Sequence, residues 1–200
     1  MRWLRYLEKH NISFNIHILN REDSIIVNTN NKIIYIIEGF MHTLQVFTNK
    51  EILCTQLLYS KQILGAHLFK KTNFQRTNNH YYKFVALTRT IILTTNRKEL
   101  ITKVGKSYNL VYFLSYGKLI YSKEIITIIS HKNTKKRLIQ FLFILIERLG
   151  IFIDNKFLIP FNLSHYAIAT VIGSQRITVN KIMNELKKKI YCLTIVKKFL

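Results

Sequence analysis

Short apolar segments broken by turn residues fill the first half of the chain. "FNIHIL", "SIIV", "KIIYII", "MHTLQVF", "EILCTQLL", "YYKFVAL" and "TIILTT" run from about Phe14 to Asn96, separated by stretches such as "NRED", "NTNN", "EG" and "TNKE". β-Branched and aromatic residues dominate these segments, as they do on a pleated surface where such side chains pack well. Several short strands at close, even spacing predict an antiparallel sandwich or barrel. Gly39, after Glu38, sits where a turn can use positive φ. From about Lys98 the apolar spacing lengthens to three and four residues, the helical period. "YNLVYFLSYGKLIYSKEIITIIS", Tyr108 to Ser130, is long for one helix and apolar on more than one face. Such a helix either pairs with its twin in a dimer or packs as a core helix on the β domain alone. Asn133 and Thr134 offer caps to a further helix through "KKRLIQFLFILIERLG", which Gly150 can end. "IFIDNKFLIPF" reads as a short hairpin turning at "DNK". No repeat and no linker rich in Pro, Gly or Ser divides the chain, so the boundary is expected in "SHKNTKK", Ser130 to Lys136.

The last segment, "LSHYAIATVIGSQRITVNKIMNELKKK", reads as two amphipathic helices joined at one glycine. Ser164 is an N-cap for the first, whose inward side is Ile168, Ala169 and Ile172. Ala169 is small enough for a second helix to cross closely, and Gly173 permits the sharp turn. Ser174 is expected to cap the second helix. There Val179, Ile182, Met183 and Leu186 follow i, i+3, i+4, i+7 as one buried stripe. The side away from it presents Gln175, Arg176, Ile177, Asn180 and Lys181. Two short helices joined at a glycine, the second polar at its N-terminal end, form a helix-turn-helix; its second helix enters the major groove of DNA. Arg can bridge guanine O6 and N7, and Asn can read adenine. Gln175, Thr178 and the helix N-terminus suit phosphates. The competing reading is an ordinary helical hairpin with a solvated charged face.

Charge sharpens the choice of partner. The chain of 200 residues holds 31 Lys+Arg against 10 Asp+Glu, a formal net charge of +21. Such an excess points to a polyanion, nucleic acid or an acidic membrane surface. Hydrophobic residues at 48% supply a core. That content excludes global disorder. The longest apolar run, "FLFILI", is too short to span a bilayer, and the N-terminus has no signal-peptide pattern, so no membrane partner is expected. Cys54 and Cys192 lie far apart, outside any metal or disulfide pattern, and the histidines show no metal spacing. "VGKS", Val104 to Ser107, imitates the end of a phosphate-binding loop, but Leu100 stands where its first glycine is needed. With so few acids, acid–base catalysis has few candidates, and an enzyme is not expected. The abundance of Ile, Asn, Lys, Phe and Tyr is what a very AT-rich genome writes, and it hints at an organelle or a reduced bacterial genome.

The C-terminal segment resembles the DNA-binding motif of the Crp/Fnr family, and within it the global nitrogen regulators of cyanobacteria and red-algal plastids. "SHKNTKKRLIQFLFILIERLGI" resembles the start of that family's DNA-binding domain, and "IIYIIEGFMHTLQVFTNKEILCTQLLYSKQILGAHLF" its β-roll. The resemblance covers most of the chain, strongly after Ser130 and weakly before. The implied fold is α+β: an antiparallel jelly-roll sensor domain over 1–107, a dimerisation helix over 108–131, and a winged helix-turn-helix over 132–200. The implied function is a homodimeric transcription regulator in a plastid. It would bind a palindromic promoter site of the GTA…TAC type, with RNA polymerase as partner and nitrogen-controlled genes as targets. Arg176, Ile177 and Lys181 occupy the family's base-reading positions; Ser164, Ser174, Gln175, Thr178 and Asn180 complete the expected DNA contacts. Ile177 stands where cyclic-AMP receptors carry an acid, and Lys181 replaces the usual Arg. "IYCLTIVKKFL" supplies only one strand of the wing.

The resemblance also bears on an effector. Cyclic-nucleotide sensors use a Gly-Glu-Leu turn, but here Ala66 follows Gly65, which argues against cyclic AMP. The nitrogen regulators bind 2-oxoglutarate through backbone N–H groups of this turn and two arginines, whose forks match carboxylates. The corresponding positions are Leu64, Gly65, Ala66 and His67 in the turn, His80 for the loop arginine and Lys118 for the helix arginine; a neighbouring glutamate falls on Lys123. Only Gly65 matches. No other cofactor is expected. The alternative function is a ligand-independent, weakly specific architectural DNA-binding protein with a degenerate β domain.

Overall fold

A computed structural model describes residues 2–26, 32–64, 80–104, 123–154 and 156–189. The chain divides into two compact units, Met1–Ser122 and Lys123–Leu200. In the first unit, α1 (Arg2–Lys9) precedes β1 (Phe14–Leu19), β2 (Ser24–Ile26), β3 (Lys32–Glu38), β4 (Phe40–Phe47), β5 (Ile52–Tyr59), β6 (Ile63–Leu64), β7 (His80–Ala86) and β8 (Thr90–Asn96), and α2 (Arg97–Val104) follows. Every strand segment expected from the apolar pattern is a strand. Two elements are not legible in that pattern, α1 and the two-residue β6.

The strands form two antiparallel four-stranded sheets, ordered β1-β8-β3-β6 and β2-β7-β4-β5. The chain crosses between the two sheets repeatedly, which is the jelly-roll winding. Ile34 and Ile36 of β3, Ile92 of β8, Met41 of β4, Leu58 of β5, and Phe84 and Ala86 of β7 meet in one core cluster drawn from both sheets. The other face of β3 turns Ile33 to a second cluster, with Leu93 of β8, Leu7 of α1 and Leu100 of α2. A strand apolar on both faces cannot alternate polar and apolar residues, which is why "KIIYII" reads as a continuous run.

Gly39 joins β3 to β4 at φ +103. A Cβ there would lie 2.5 Å from Thr90 Oγ1 and 2.6 Å from the Arg89 carbonyl oxygen. Only glycine fits the turn. The α1–β1 junction is fastened to α2 by Glu99. Its carboxylate accepts from the Ser13 backbone N–H at 3.0 Å, from the Ser13 hydroxyl, and from Lys103 Nζ at 2.8 Å. Lys103 and Ser13 hold this carboxyl down to about 2.

The second unit comprises a helical stretch over 123–129 (α3), α4 (Thr134–Leu149), a hairpin of β9 (Ile151–Ile153) and β10 (Lys156–Leu158), α5 (His165–Ile172) and α6 (Arg176–Lys189). The expected hairpin is present, with Phe157 opposite Phe152 and their rings 5.1 Å apart. Most of the expected dimerisation helix and the wing segment lie outside the described residues. Among the described residues no helix is long and apolar enough to cross a membrane.

Candidate nucleic-acid interface

Local sequence sets each helix of the second unit. Asn133 caps α4, its side chain accepting from the Lys135 backbone N–H at 2.8 Å. The bond satisfies one of the N–H groups that a helix start leaves without a partner. Gly150 ends α4, though not by a left-handed turn: it is extended, at φ −70. It must be glycine for space, since a Cβ would lie 2.3 Å from the Ile146 carbonyl oxygen. Ser164 caps α5, accepting from the Ala167 N–H at 3.2 Å. Gly173 closes α5 in the left-handed conformation, φ 60 and ψ 55. Its N–H bonds the Ala169 carbonyl, and so does the N–H of Ser174 at 2.9 Å. These bonds satisfy the orphan carbonyl at the helix end and turn the chain sharply toward α6. α6 begins at Arg176, one residue later than a Ser174 cap would set it, so Gln175 occupies the cap position.

The two faces of α6 are separated as the spacing predicts. Val179, Ile182, Met183 and Leu186 are buried, and α5 offers Ala167, Ile168, Ala169, Val171 and Ile172 to the same interior. Helix α6 packs on α5, and α5 on α4. Gln175, Arg176, Ile177, Asn180 and Lys181 are exposed, while Thr178, Ser174 and Ser164 are half-buried. Ile177 is 68% exposed, an apolar side chain in the middle of a polar, cationic face. The packing stripe of α6 does not use it, whereas a thymine methyl in the major groove can. The open face therefore carries a guanidinium, a carboxamide, an ammonium and one apolar contact within the first turn and a half of one helix.

Two cations of α4 reach toward α5 and α6. Lys135 pairs with Glu185 of α6 at 3.2 Å. Both side chains are exposed, so the pair is worth little energy. Arg137 of α4 reaches the turn itself: Nη1 donates to the carbonyl oxygens of Ile172 at 3.3 Å and Gly173 at 3.5 Å, and Nε donates to the His131 carbonyl at 2.7 Å. Apolar spacing and capping preference report local contacts and not a side chain that bonds to the backbone of another helix, so Arg137 is not legible in the sequence as a functional residue.

Replacing Gly173 with alanine is expected to cost about 1 kcal/mol, the penalty of left-handed backbone for a residue with a Cβ. The space itself is open, the nearest atom being Arg137 Nη1 at 3.7 Å. A urea titration read on the helical signal checks this; a cost under a few tenths would mean that the turn does not need its glycine.

Of the expected effector positions, Leu64 and His80 are described. Leu64 is buried in β6 within the inter-sheet core. His80 starts β7 in the other sheet, opposite Phe47, with its ring 5.7 Å from Phe47 and 5.4 Å from Tyr82. Gly65, Ala66, His67 and Lys118 lie outside the described residues. A different histidine of this unit, His42, is buried and its Nδ1 has no hydrogen-bond partner. Among the described residues no group of His, Cys, Asp and Glu could hold a metal ion.

Comparison with known proteins agrees with this architecture. No family profile matches the chain. A Porphyra purpurea protein named as an HTH-type transcriptional regulator, ycf28, is 29% identical over 188 residues, covering 92% of this chain and 76% of that protein. The global nitrogen regulator of Nostoc sp. is 24% identical over 79% of this chain and 71% of its own length. Among solved structures, FixK2 from Bradyrhizobium japonicum superposes with TM-score 0.66 at 12% identity, over 89% of this chain and 86% of that one. A CRP-family transcriptional regulator from Thermus thermophilus superposes with the same TM-score, 0.66, at 12% identity, over 86% of this chain and 85% of that one. The relatives and this last neighbour are named as regulators and not as enzymes.

Proposed function

We propose that this chain, a transcription regulator of the Crp/Fnr type by its relatives and its fold, works as a homodimer that lays two copies of α6 into successive major grooves of a palindromic promoter site. The observation that carries this reading is the exposed face of α6, where Arg176, Ile177, Asn180 and Lys181 stand free of the packing stripe. Arg176 reads guanine with its fork, and Asn180 reads adenine. Ile177 meets a thymine methyl, and Lys181 supplies a point charge in place of a fork. Gln175, Ser174, Thr178 and Ser164 hold phosphates at the helix entry, where the dipole favours an anion. The net charge of +21 adds sequence-independent affinity. That part of the affinity falls steeply with salt.

The finer reading follows the relatives named global nitrogen regulators. In it the chain activates nitrogen-controlled genes together with RNA polymerase, in a plastid. The similarity to a Porphyra purpurea protein and the AT-rich composition support that location. Residues 1–107 form the sensor, 108–131 the dimerisation helix and 132–200 the DNA-binding domain. 2-Oxoglutarate is the effector of this reading, bound at the turn of Leu64, Gly65, Ala66 and His67 with His80 and Lys118.

Fluorescence anisotropy at physiological salt tests it, with a GTA…TAC palindrome and a scrambled duplex, each with and without 2-oxoglutarate. A preference for the palindrome of about a thousandfold or more falls in the range of specific regulators. Equal binding to both duplexes, unmoved by 2-oxoglutarate, leaves a weakly specific DNA coat and sinks the regulator reading. A preference without a response to 2-oxoglutarate keeps the DNA reading and removes the effector. Arg176→Ala is expected to cost about 2 kcal/mol on the palindrome and to relax specificity at one guanine position of each half-site. A uniform loss on both duplexes would demote Arg176 to a phosphate contact.

A further inference from the structure

The turn between α5 and α6 fixes where the recognition helix points, and one side chain from another helix holds it. Arg137 leaves α4 one turn after its cap and donates to the carbonyls of Ile172, the last residue of α5, and Gly173, its left-handed end. These lie at the negative end of α5, where carbonyls lack helical partners and a cation is favoured. The same guanidinium, through Nε, donates to the carbonyl of His131 in the junction between α3 and α4. The planar fork carries its N–H donors on separate atoms in fixed directions, so Nε and Nη1 serve two stretches of backbone at once; an ammonium has all three of its N–H donors on one atom and does not reproduce that span.

We propose that Arg137 is a positioning residue for DNA recognition: it ties the helix-turn-helix turn to the α3–α4 junction and thereby sets the angle at which α6 meets the groove. The inference rests on the DNA-binding reading above. In this role Arg137 touches no base or phosphate; its Nε and Nη1 bonds go to the protein backbone. Loss of the clamp then degrades the fit of Arg176 and Asn180 to base edges and leaves the general attraction for DNA intact.

The test uses the full chain with Arg137→Lys and Arg137→Met, alongside wild type, on palindromic and scrambled duplexes over a salt series. Active protein is counted by stoichiometric titration, so that a folding defect is not read as weak binding. Both variants are expected to lose about tenfold or more on the palindrome, the size of one charged hydrogen bond, and to keep their affinity for the scrambled duplex. Wild-type behaviour of Arg137→Lys would overturn the fork. Equal loss of Arg137→Met on both duplexes, with the salt slope lowered by about one, would overturn the positioning role in favour of a phosphate contact. A second readout needs no DNA: amide exchange of Gly173 and Ser174, whose N–H groups bond Ala169. The expected result is at least about tenfold faster exchange there in both variants, the cost of one lost charged hydrogen bond, with Val179 as the control in α6. Unchanged exchange would overturn the clamp. A wild type without palindrome preference would sink the DNA reading alone, since the exchange result still reports whether Arg137 holds the turn.

Discussion

Phe141→Ala is expected to lower the unfolding free energy of the Lys123–Leu200 unit by about 4 kcal/mol, the range for emptying a phenylalanine site in a packed core. Phe141 is fully buried on α4, in the same interior as Leu138, Leu142 and Leu145. This is the interior beneath the helix-turn-helix, so the loss removes the platform on which α5 and α6 rest. The internal control is two residues away. Phe143 lies on the opposite face of the same helix and is 61% exposed. Phe143→Ala should therefore change stability by less than about 0.5 kcal/mol. Urea unfolding with pulsed hydrogen exchange, read on peptides from α4, α5 and α6, measures both variants on the unit that contains them. Similar costs for the two substitutions would mean that α4 is rotated from the packing described, and the placement of α6 would fall with it.

The contrast between these two phenylalanines shows what the sequence can and cannot say. "FLFILI" is apolar at every position, so periodicity alone does not tell Phe141 from Phe143. In α6 the apolar positions are separated by Asn180, Lys181 and Glu185, so the inward stripe of Val179, Ile182, Met183 and Leu186 is legible from spacing alone. The strands are legible for a similar reason: β-branched runs bounded by Asn, Asp and Gly have few other readings. α1 is not, because it is short and takes its helicity from packing Leu4 and Leu7 on the cluster of Leu93 and Leu100. β6 is not, because two residues carry no period. The nucleic-acid face is an exposed pattern of donors on one helix, which spacing reports. The clamp by Arg137 is invisible because its partners are backbone carbonyls brought together by the fold. Buried His42 is equally invisible, since a histidine inside a strand pattern looks the same whether its face is wet or dry.

His42 makes the β domain acid-sensitive. It lies on β4 opposite Val85 and Leu57, with Lys83 one diagonal step away on the same face of the sheet. Burial first, and then the charge of Lys83, pushes its imidazole down from 6.5 to about 4. Unfolded chains take up the proton near 6.5, while the folded chain resists it until about 4. Between these values the unfolded state binds more protons, so stability rises with pH there. The stabilisation is complete above 6.5, declines as pH falls through the window, and levels off below about 4. Over that span the linkage amounts to about 3 kcal/mol. The Nδ1 atom bonds nothing in the folded chain. His42→Leu should therefore abolish the acid-sensitive component and stay within about 1 kcal/mol of wild type at neutral pH. Stability from urea unfolding, read on β4 and β7 peptides at pH 7.5, 5.5 and 4, isolates the effect as wild type minus variant, since the other titrating groups cancel in the difference. A flat difference across the window would mean that His42 takes up its proton in the folded state as readily as in water, and that its face of the sheet is open to solvent.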